Sequence, residues 1–229
     1  MSAPLRLVVF DMDGTLVDSQ DFILAAMARA FGEMGLAMPP REKVLSIVGL
    51  SLDQAVAALV PGLAPDALEK AISLYKNAFL SLRAEAGGEA NTPLYPGARA
   101  ALARLHARPE LLLGVATGKA RRGLDHICEV HGLDRYFVTR QTADGHPSKP
   151  HPSMLEAALA ETGVEPAQAV MVGDTSYDME MGRAAGYRTV GVTWGYHPPQ
   201  ALRDAGADLL VKDFAALEPA LDRLWEGDG

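Results

Sequence analysis

The sequence predicts an α/β protein: a parallel sheet wound on both faces by helices, with a block of helices inserted after the first strand. Short apolar runs alternate with helical patterns from Gly97 to Trp225, and one interval of 100 residues, Asp11 to Leu111, breaks that alternation. Strands separated by helices of about 10–15 residues indicate βαβ units, whose strands are parallel. The first apolar run ends in Asp11-Met12-Asp13-Gly14-Thr15. Ligand sites in doubly wound sheets gather at the carboxyl ends of strands, so two carboxylates at that point are where chemistry is expected.

The first strand is Leu5–Phe10, a continuous apolar run of the kind buried on both faces of a parallel sheet. A whole βαβ unit needs only about 30 residues, so the long interval that follows holds something else. Residues 18–90 show no strand pattern. Phe22, Leu24, Ala25, Met27, Ala28 and Phe31 space as one face of a helix, and further helices are expected at 41–48, 51–60 and 64–86. Breakers at Pro39-Pro40, Gly49, Pro61-Gly62 and Gly87-Gly88 separate them. The chain therefore divides into a core of 1–17 and 91–229 and an inserted helical domain of 18–90. The turn before Asp18 and the loop Gly88–Pro96 are its candidate hinges.

Beyond the insert the alternation resumes. Helices are expected at Gly97–Ala107, Ala120–His131, Pro152–Thr162, Ser176–Ala185, Pro199–Ala205 and Ala215–Trp225. Strands are expected at Leu111–Ala116, Ala169–Gly173, Thr189–Thr193 and Asp208–Val211, with a shorter one at Tyr136–Thr139. The core is thus Rossmann-like.

With 48% hydrophobic and 22% charged residues the composition is that of an ordered globular chain. A net charge of −8 argues against nucleic acid or an anionic membrane as partner. It leaves room for an anionic small molecule, because a bound metal ion can reverse the local field. Cys128 is the single cysteine, so no intrachain disulfide forms, and it reads as a buried small hydrophobe. No run of 18 apolar residues is present, and residues 1–10 lack the layout of a signal peptide. A cytoplasmic protein, monomer or homodimer, is expected.

Four further features fall at the same sheet edge as Asp11 and Asp13. Thr117-Gly118-Lys119 closes the second strand, where a hydroxyl and free N–H groups at a helix start can cradle a phosphate. Lys149, in Ser148-Lys149-Pro150-His151-Pro152, can pair with a phosphate or a carboxylate. Asp174 ends another strand, and Asp178 follows one helical turn later. Four carboxylates at one edge repel by roughly 1–4 kcal/mol per pair at about 4 Å, so they require a cation. Hard oxygen donors select Mg2+. Metal, lysine, hydroxyl and nucleophile together make a phosphoryl-transfer site.

These motifs, in this order, resemble those of the haloacid dehalogenase superfamily of aspartate-nucleophile phosphatases: Asp11-x-Asp13-Gly14-Thr15, Thr117-Gly118, Lys149-Pro150 and Gly173-Asp174-Thr175-x-x-Asp178. The helical insert resembles that family's all-helical cap. Val48-Gly49-Leu50-Ser51-Leu52, Lys149-Pro150-His151-Pro152, Gly186-Tyr187 and Ala205-Gly206-Ala207-Asp208 are most similar to the phosphoglycolate phosphatase branch. The resemblance implies that Asp11 attacks phosphorus and that Asp13 protonates the leaving alcohol and later activates water. It implies that Thr117 and the Gly118 amide hold phosphate oxygens, and that Lys149 stabilises their charge. It places Mg2+ on Asp11, Asp174 and the Asp13 carbonyl, with Asp178 in support. The implied substrate is a small phosphorylated metabolite, 2-phosphoglycolate above others. Arg41, Lys43, Ser51 and Gln54 are the insert's candidates for substrate contact.

Other readings use the same residues. A pyrophosphatase, or a mutase resembling β-phosphoglucomutase, would share every core motif. A true dehalogenase needs neither metal nor the second acid at Asp13. A phospho-accepting receiver domain would be about half as long and would lack the insert. His197, before Pro198-Pro199, reads as a surface turn, and His146 and His151 as rim residues without zinc spacing. Met171, Met179 and Met181 read as core filler and Arg121-Arg122 as a solvated face.

Overall fold

A computed structural model describes residues 4–86 and 92–226. Its centre is a six-stranded parallel sheet: β1 (Arg6–Phe10), β2 (Leu111–Thr117), β3 (Phe137–Thr142), β4 (Ala169–Gly173), β5 (Arg188–Val192) and β6 (Leu209–Val211). The spatial order is β3-β2-β1-β4-β5-β6. The chain winds outward from β1 to β3, then crosses back to lay β4 against the other side of β1. That reversal opens a crevice between the ends of β1 and β4, the place where open α/β sheets bind ligands.

Alternation along β1 explains the two-sided core. Val8 and Phe10 face one layer of α5 (Ala98–His106), α6 (Arg121–His131) and α10 (Leu217–Glu226), through Leu102, Leu105, Leu124, Ile127, Leu221 and Leu224. Leu7 and Val9 face the other layer, where α7 (Ser153–Thr162) and α8 (Ser176–Ala184) contribute Met154, Leu155, Ala158 and Met181. Every residue of Leu7–Phe10 is fully buried, as a central parallel strand requires. A short α9 (Pro199–Asp204) packs beside β5. Met171, Met179 and Met181 are fully buried, and Arg121 and Arg122 are exposed.

Between β1 and β2 lie α1 (Gln20–Glu33), α2 (Arg41–Leu45), α3 (Leu52–Leu59) and α4 (Pro65–Ala86). They share a hydrophobic cluster of their own, built on Ile23, Met27, Phe31, Val44, Ile47, Ala55 and Leu59. The expected helix at 41–48 is shorter, because the chain leaves the helix after Leu45 and turns at Gly49, whose φ is +103°. The expected strand at Tyr136–Thr139 starts one residue later and runs on to Thr142; polar Arg140 and Gln141 hid its end. It is an edge strand, with one face of Val138 in solvent. The Gly87-Gly88 break, the 90/91 boundary and the start of the Gly88–Pro96 hinge fall outside the described residues. No helix among the described residues is long and apolar enough to cross a membrane.

Candidate active site

Asp11 follows β1 directly, and its backbone N–H donates to the Val172 carbonyl at 2.9 Å, tying it to β4. Thr117 ends β2 on the other side, since Phe10 pairs with both Val115 and Val172. Asp174 follows β4, and Asp178 sits in the first turn of α8. Lys149 enters from the loop between β3 and α7. Five residues from four separate stretches of the chain thus meet at one crevice.

Lys149 is the electrostatic centre. Its side chain has no solvent exposure, and Nζ donates to Asp11 Oδ1 at 2.8 Å and Asp178 Oδ1 at 2.7 Å. The other Asp178 oxygen accepts from the Thr175 amide at 3.0 Å and hydroxyl at 2.7 Å, closing a capping box on α8. Both Asp178 oxygens are therefore engaged by protein donors. Asp174 accepts from the Thr15 hydroxyl at 2.8 Å and the Tyr196 amide at 2.9 Å. Asp11 Oδ2 is buried with no hydrogen-bond partner. Gly14, at φ +83°, passes so close to Asp174 that a Cβ would run into its carboxylate; only glycine fits both constraints.

One oxygen from each of Asp11, Asp174 and Asp178 lies within 4.8 Å of the others. Against these three carboxylates stands one buried ammonium, paired with Asp11 and Asp178. Burial pushes Asp11 up to about 7; Lys149 opposes that shift and Asp178 adds to it. Burial raises Asp174 well above the usual carboxylate range, with Asp11 and Asp178 contributing in the same direction. Burial pulls Lys149 down, but Asp11 and Asp178 outweigh it and hold the ammonium charged. Three clustered carboxylates facing one ammonium leave surplus negative charge on hard oxygen atoms, a donor set for a hard cation. The residues fit Mg2+.

Asp13 stands apart from that cluster. Its side chain accepts from Lys119 Nζ at 2.8 Å on both oxygens and from the Ser19 hydroxyl, which also meets Tyr196 Oη at 3.1 Å. Neither Lys119 nor Ser19 carries a role expected from the sequence. The available signal was position: Lys119 follows Thr117-Gly118 at the end of β2, the strand beside the one that delivers Asp13. The Thr117 hydroxyl is buried and accepts from the Lys119 amide at 3.2 Å.

The insert rests on this edge. A Cβ on Gly118 would lie 2.5 Å from the Gly49 carbonyl oxygen and 2.6 Å from that of Leu50. The Ser51 amide donates to the Ser148 hydroxyl at 2.8 Å, next to Lys149. Arg41 is exposed and engaged with Asp21 and Gln20 at 3.2 and 2.6 Å; Lys43 and Gln54 are exposed as well. His197 corrects the sequence reading. It is not a surface turn but is buried, with Nδ1 accepting from the Ser176 amide at 3.1 Å and Nε2 meeting the Ser46 carbonyl at 3.0 Å. Tyr177 Oη donates to the same carbonyl at 3.1 Å. His146 is half-buried between Ser153 and Gln141, and His151 is exposed. Cys128 is buried, its thiol pushed up to about 11 by desolvation.

The doubly wound sheet, with carboxylates and a buried lysine gathered at its switch point, is the architecture of a hydrolase. Residues 8–192 match the model of the haloacid dehalogenase-like hydrolases, and the chain belongs to that family. It is 32% identical over 221 residues to the probable phosphatase IndB of Dickeya dadantii, covering 95% of this chain and 94% of that one. It is 32% identical over 221 residues to a phosphoglycolate phosphatase of Pseudomonas putida, covering 93% and 79%. It is 29% identical over 214 residues to the pyrophosphatase PpaX of Bacillus pumilus, covering 93% and 94%.

Proposed function

We propose that the chain is a Mg2+-dependent phosphomonoesterase that works through an aspartyl-phosphate on Asp11, with 2-phosphoglycolate as substrate. The observation that carries this reading is the asymmetry of Asp11: Oδ1 is fixed by Lys149, while Oδ2 is buried and unpartnered. An oriented carboxylate with one bare oxygen beside a fixed cation is arranged to attack an anion.

In the first step Asp11 Oδ2 forms a bond to phosphorus, and the bond from phosphorus to the ester oxygen breaks. Asp13 gives a proton to that oxygen, and the alcohol leaves. In the second step Asp13 takes a proton from water, the water oxygen bonds to phosphorus, and the bond to Asp11 breaks. Inorganic phosphate departs and Asp11 is restored. The Thr117 hydroxyl and Gly118 amide hold phosphoryl oxygens, and Lys149 offsets their charge in both steps. Asp178 orients Lys149. Asp11, Asp174 and the Asp13 carbonyl would hold Mg2+, which when bound neutralises charge on the phosphoryl oxygens.

Residues 18–90 act as a lid over a core of 1–17 and 91–229, excluding water during turnover. Ser51 is the insert residue best placed to reach substrate; Arg41 must first leave Asp21 and Gln20. Likeness to the Pseudomonas putida enzyme supports phosphoglycolate. Likeness to PpaX supports pyrophosphate as the second reading. The single buried thiol fits a reducing cytoplasm, with the chain as monomer or homodimer.

The test is phosphate release from 2-phosphoglycolate, pyrophosphate, sugar phosphates and nucleotides, with and without Mg2+. Metal-dependent turnover led by phosphoglycolate is expected. Turnover led by pyrophosphate would replace the substrate, and metal-independent turnover would overturn the Mg2+ assignment.

A further inference from the structure

Lys119 poses a problem for the chemistry above. In the reaction the Asp13 oxygens must meet first the ester oxygen and then water. Both are occupied by the Lys119 ammonium, at 2.8 Å each. The pair is secluded, with side-chain exposures of 11% for Lys119 and 9% for Asp13. The lysine stem runs along the start of α6 past Gly123, and Nζ lies 5.5 Å from the centre of the Phe79 ring on α4 of the insert. When a substrate alcohol reaches Asp13, the ammonium must give up at least one of its contacts in a seam walled by an aromatic ring. A cation displaced there needs another anion, because an unpaired desolvated charge is costly.

We infer that Lys119 is a specificity residue that binds an anionic group on the leaving alcohol. It thereby selects short phosphate esters and anhydrides whose leaving group carries its own negative charge next to the bridging oxygen. This inference rests on the phosphatase reading. An acid that meets the bridging oxygen at about 3 Å puts Nζ within about 6 Å of it. A carboxylate two bonds from that oxygen, or a second phosphate bonded to it, falls inside that reach. A neutral alcohol would open the Lys119–Asp13 pair and give the ammonium nothing in return, so the same residue rejects neutral substrates. Arg41 is exposed and already paired, and Lys149 sits against Asp11 and Asp178. Among the described residues Lys119 is the cation bonded to Asp13, with Arg83 of α4 lining the same small pocket.

The test compares kcat/KM for 2-phosphoglycolate, pyrophosphate and ethyl phosphate in the full-length Mg2+-loaded wild type, Lys119→Met and Lys119→Arg. The readout is the ratio of the preferred anionic substrate to ethyl phosphate. The wild-type preference between the first two identifies the anion as carboxylate or phosphate. Lys119→Met should lower the ratio about 10–100-fold, the worth of a hydrogen-bonded charge pair, and Lys119→Arg should keep it within about threefold. A ratio unchanged in Lys119→Met, with both substrates falling alike, would overturn the inference and leave the phosphatase reading standing. An equal collapse of the ratio in both variants would also overturn it, since shape rather than charge would then decide. A wild type that hydrolyses none of the three would remove the phosphatase reading and the inference with it.

Discussion

Asp11 is held in a state that is stable only in company. Burial pushes its pKa from 3.8 up to about 7, so ionising it in the metal-free protein opposes folding. A raised folded-state value means that the stability is fully present below the ordinary carboxylate pKa and is lost as pH climbs to the raised one. Asp11→Asn keeps an oxygen for Lys149 and removes the charge. In thermal melts without divalent metal, the variant should match wild type near pH 4. It should become the more stable of the two as pH rises to about 7, and the gap should stay constant above that. Each kcal/mol corresponds to about 2–4 °C for a chain of this length. Adding Mg2+ should narrow the gap by stabilising wild type alone. A gap that shrinks with rising pH would contradict the geometry. At this scale the sequence was readable where motif residues sit at or just after strand ends, as Asp11, Asp13, Thr117 and Asp174 do; Lys149 from a loop and Asp178 from the first turn of α8 reach the same crevice. It was silent on Lys119 and Ser19, because a lysine or serine in a turn is ordinarily a solvated group and only the fold brings these two to Asp13.

At the scale of elements, α8 and the loop after β5 hold the insert down. Tyr177 and His197 both engage the Ser46 carbonyl, just past the end of α2, and their rings pack edge to face at 5.4 Å. Net hydrogen-bond worths of about 1 kcal/mol each suggest that removing both shifts the insert toward an open arrangement by roughly 2 kcal/mol. Tyr177→Phe with His197→Ala should therefore lower kcat/KM by about 10–30-fold. Hydrogen-exchange protection should fall in α2 and the turn after it while β1 and β4 keep theirs. Unchanged exchange in that segment would show that the contact does not secure the insert. The elements themselves were legible from periodicity, including the four helices of 18–86. The latch was not, because Pro198-Pro199 marks His197 as a turn residue and its partner lies 151 positions away.

Across the whole molecule, strand order converts a linear string of motifs into a site. Apolar runs announced six strands, and their parallel pairing followed from the helices between them. The 3-2-1-4-5-6 order adds the fact that β1 and β4 are neighbours, which puts Asp11 beside Asp174. Local pattern could not show that the backbone of the 49–51 turn seats on Gly118 and Ser148, since that contact depends on backbone approach. If phosphate passes through Asp11, acid quenching of the Mg2+-loaded enzyme during turnover of its preferred substrate traps it there. Borohydride reduction and peptide mass spectrometry then read the trapped acyl phosphate as homoserine. Homoserine is expected at position 11 and at no other aspartate. Turnover with an unmodified Asp11, or with the label at Asp13, Asp174 or Asp178, would contradict it.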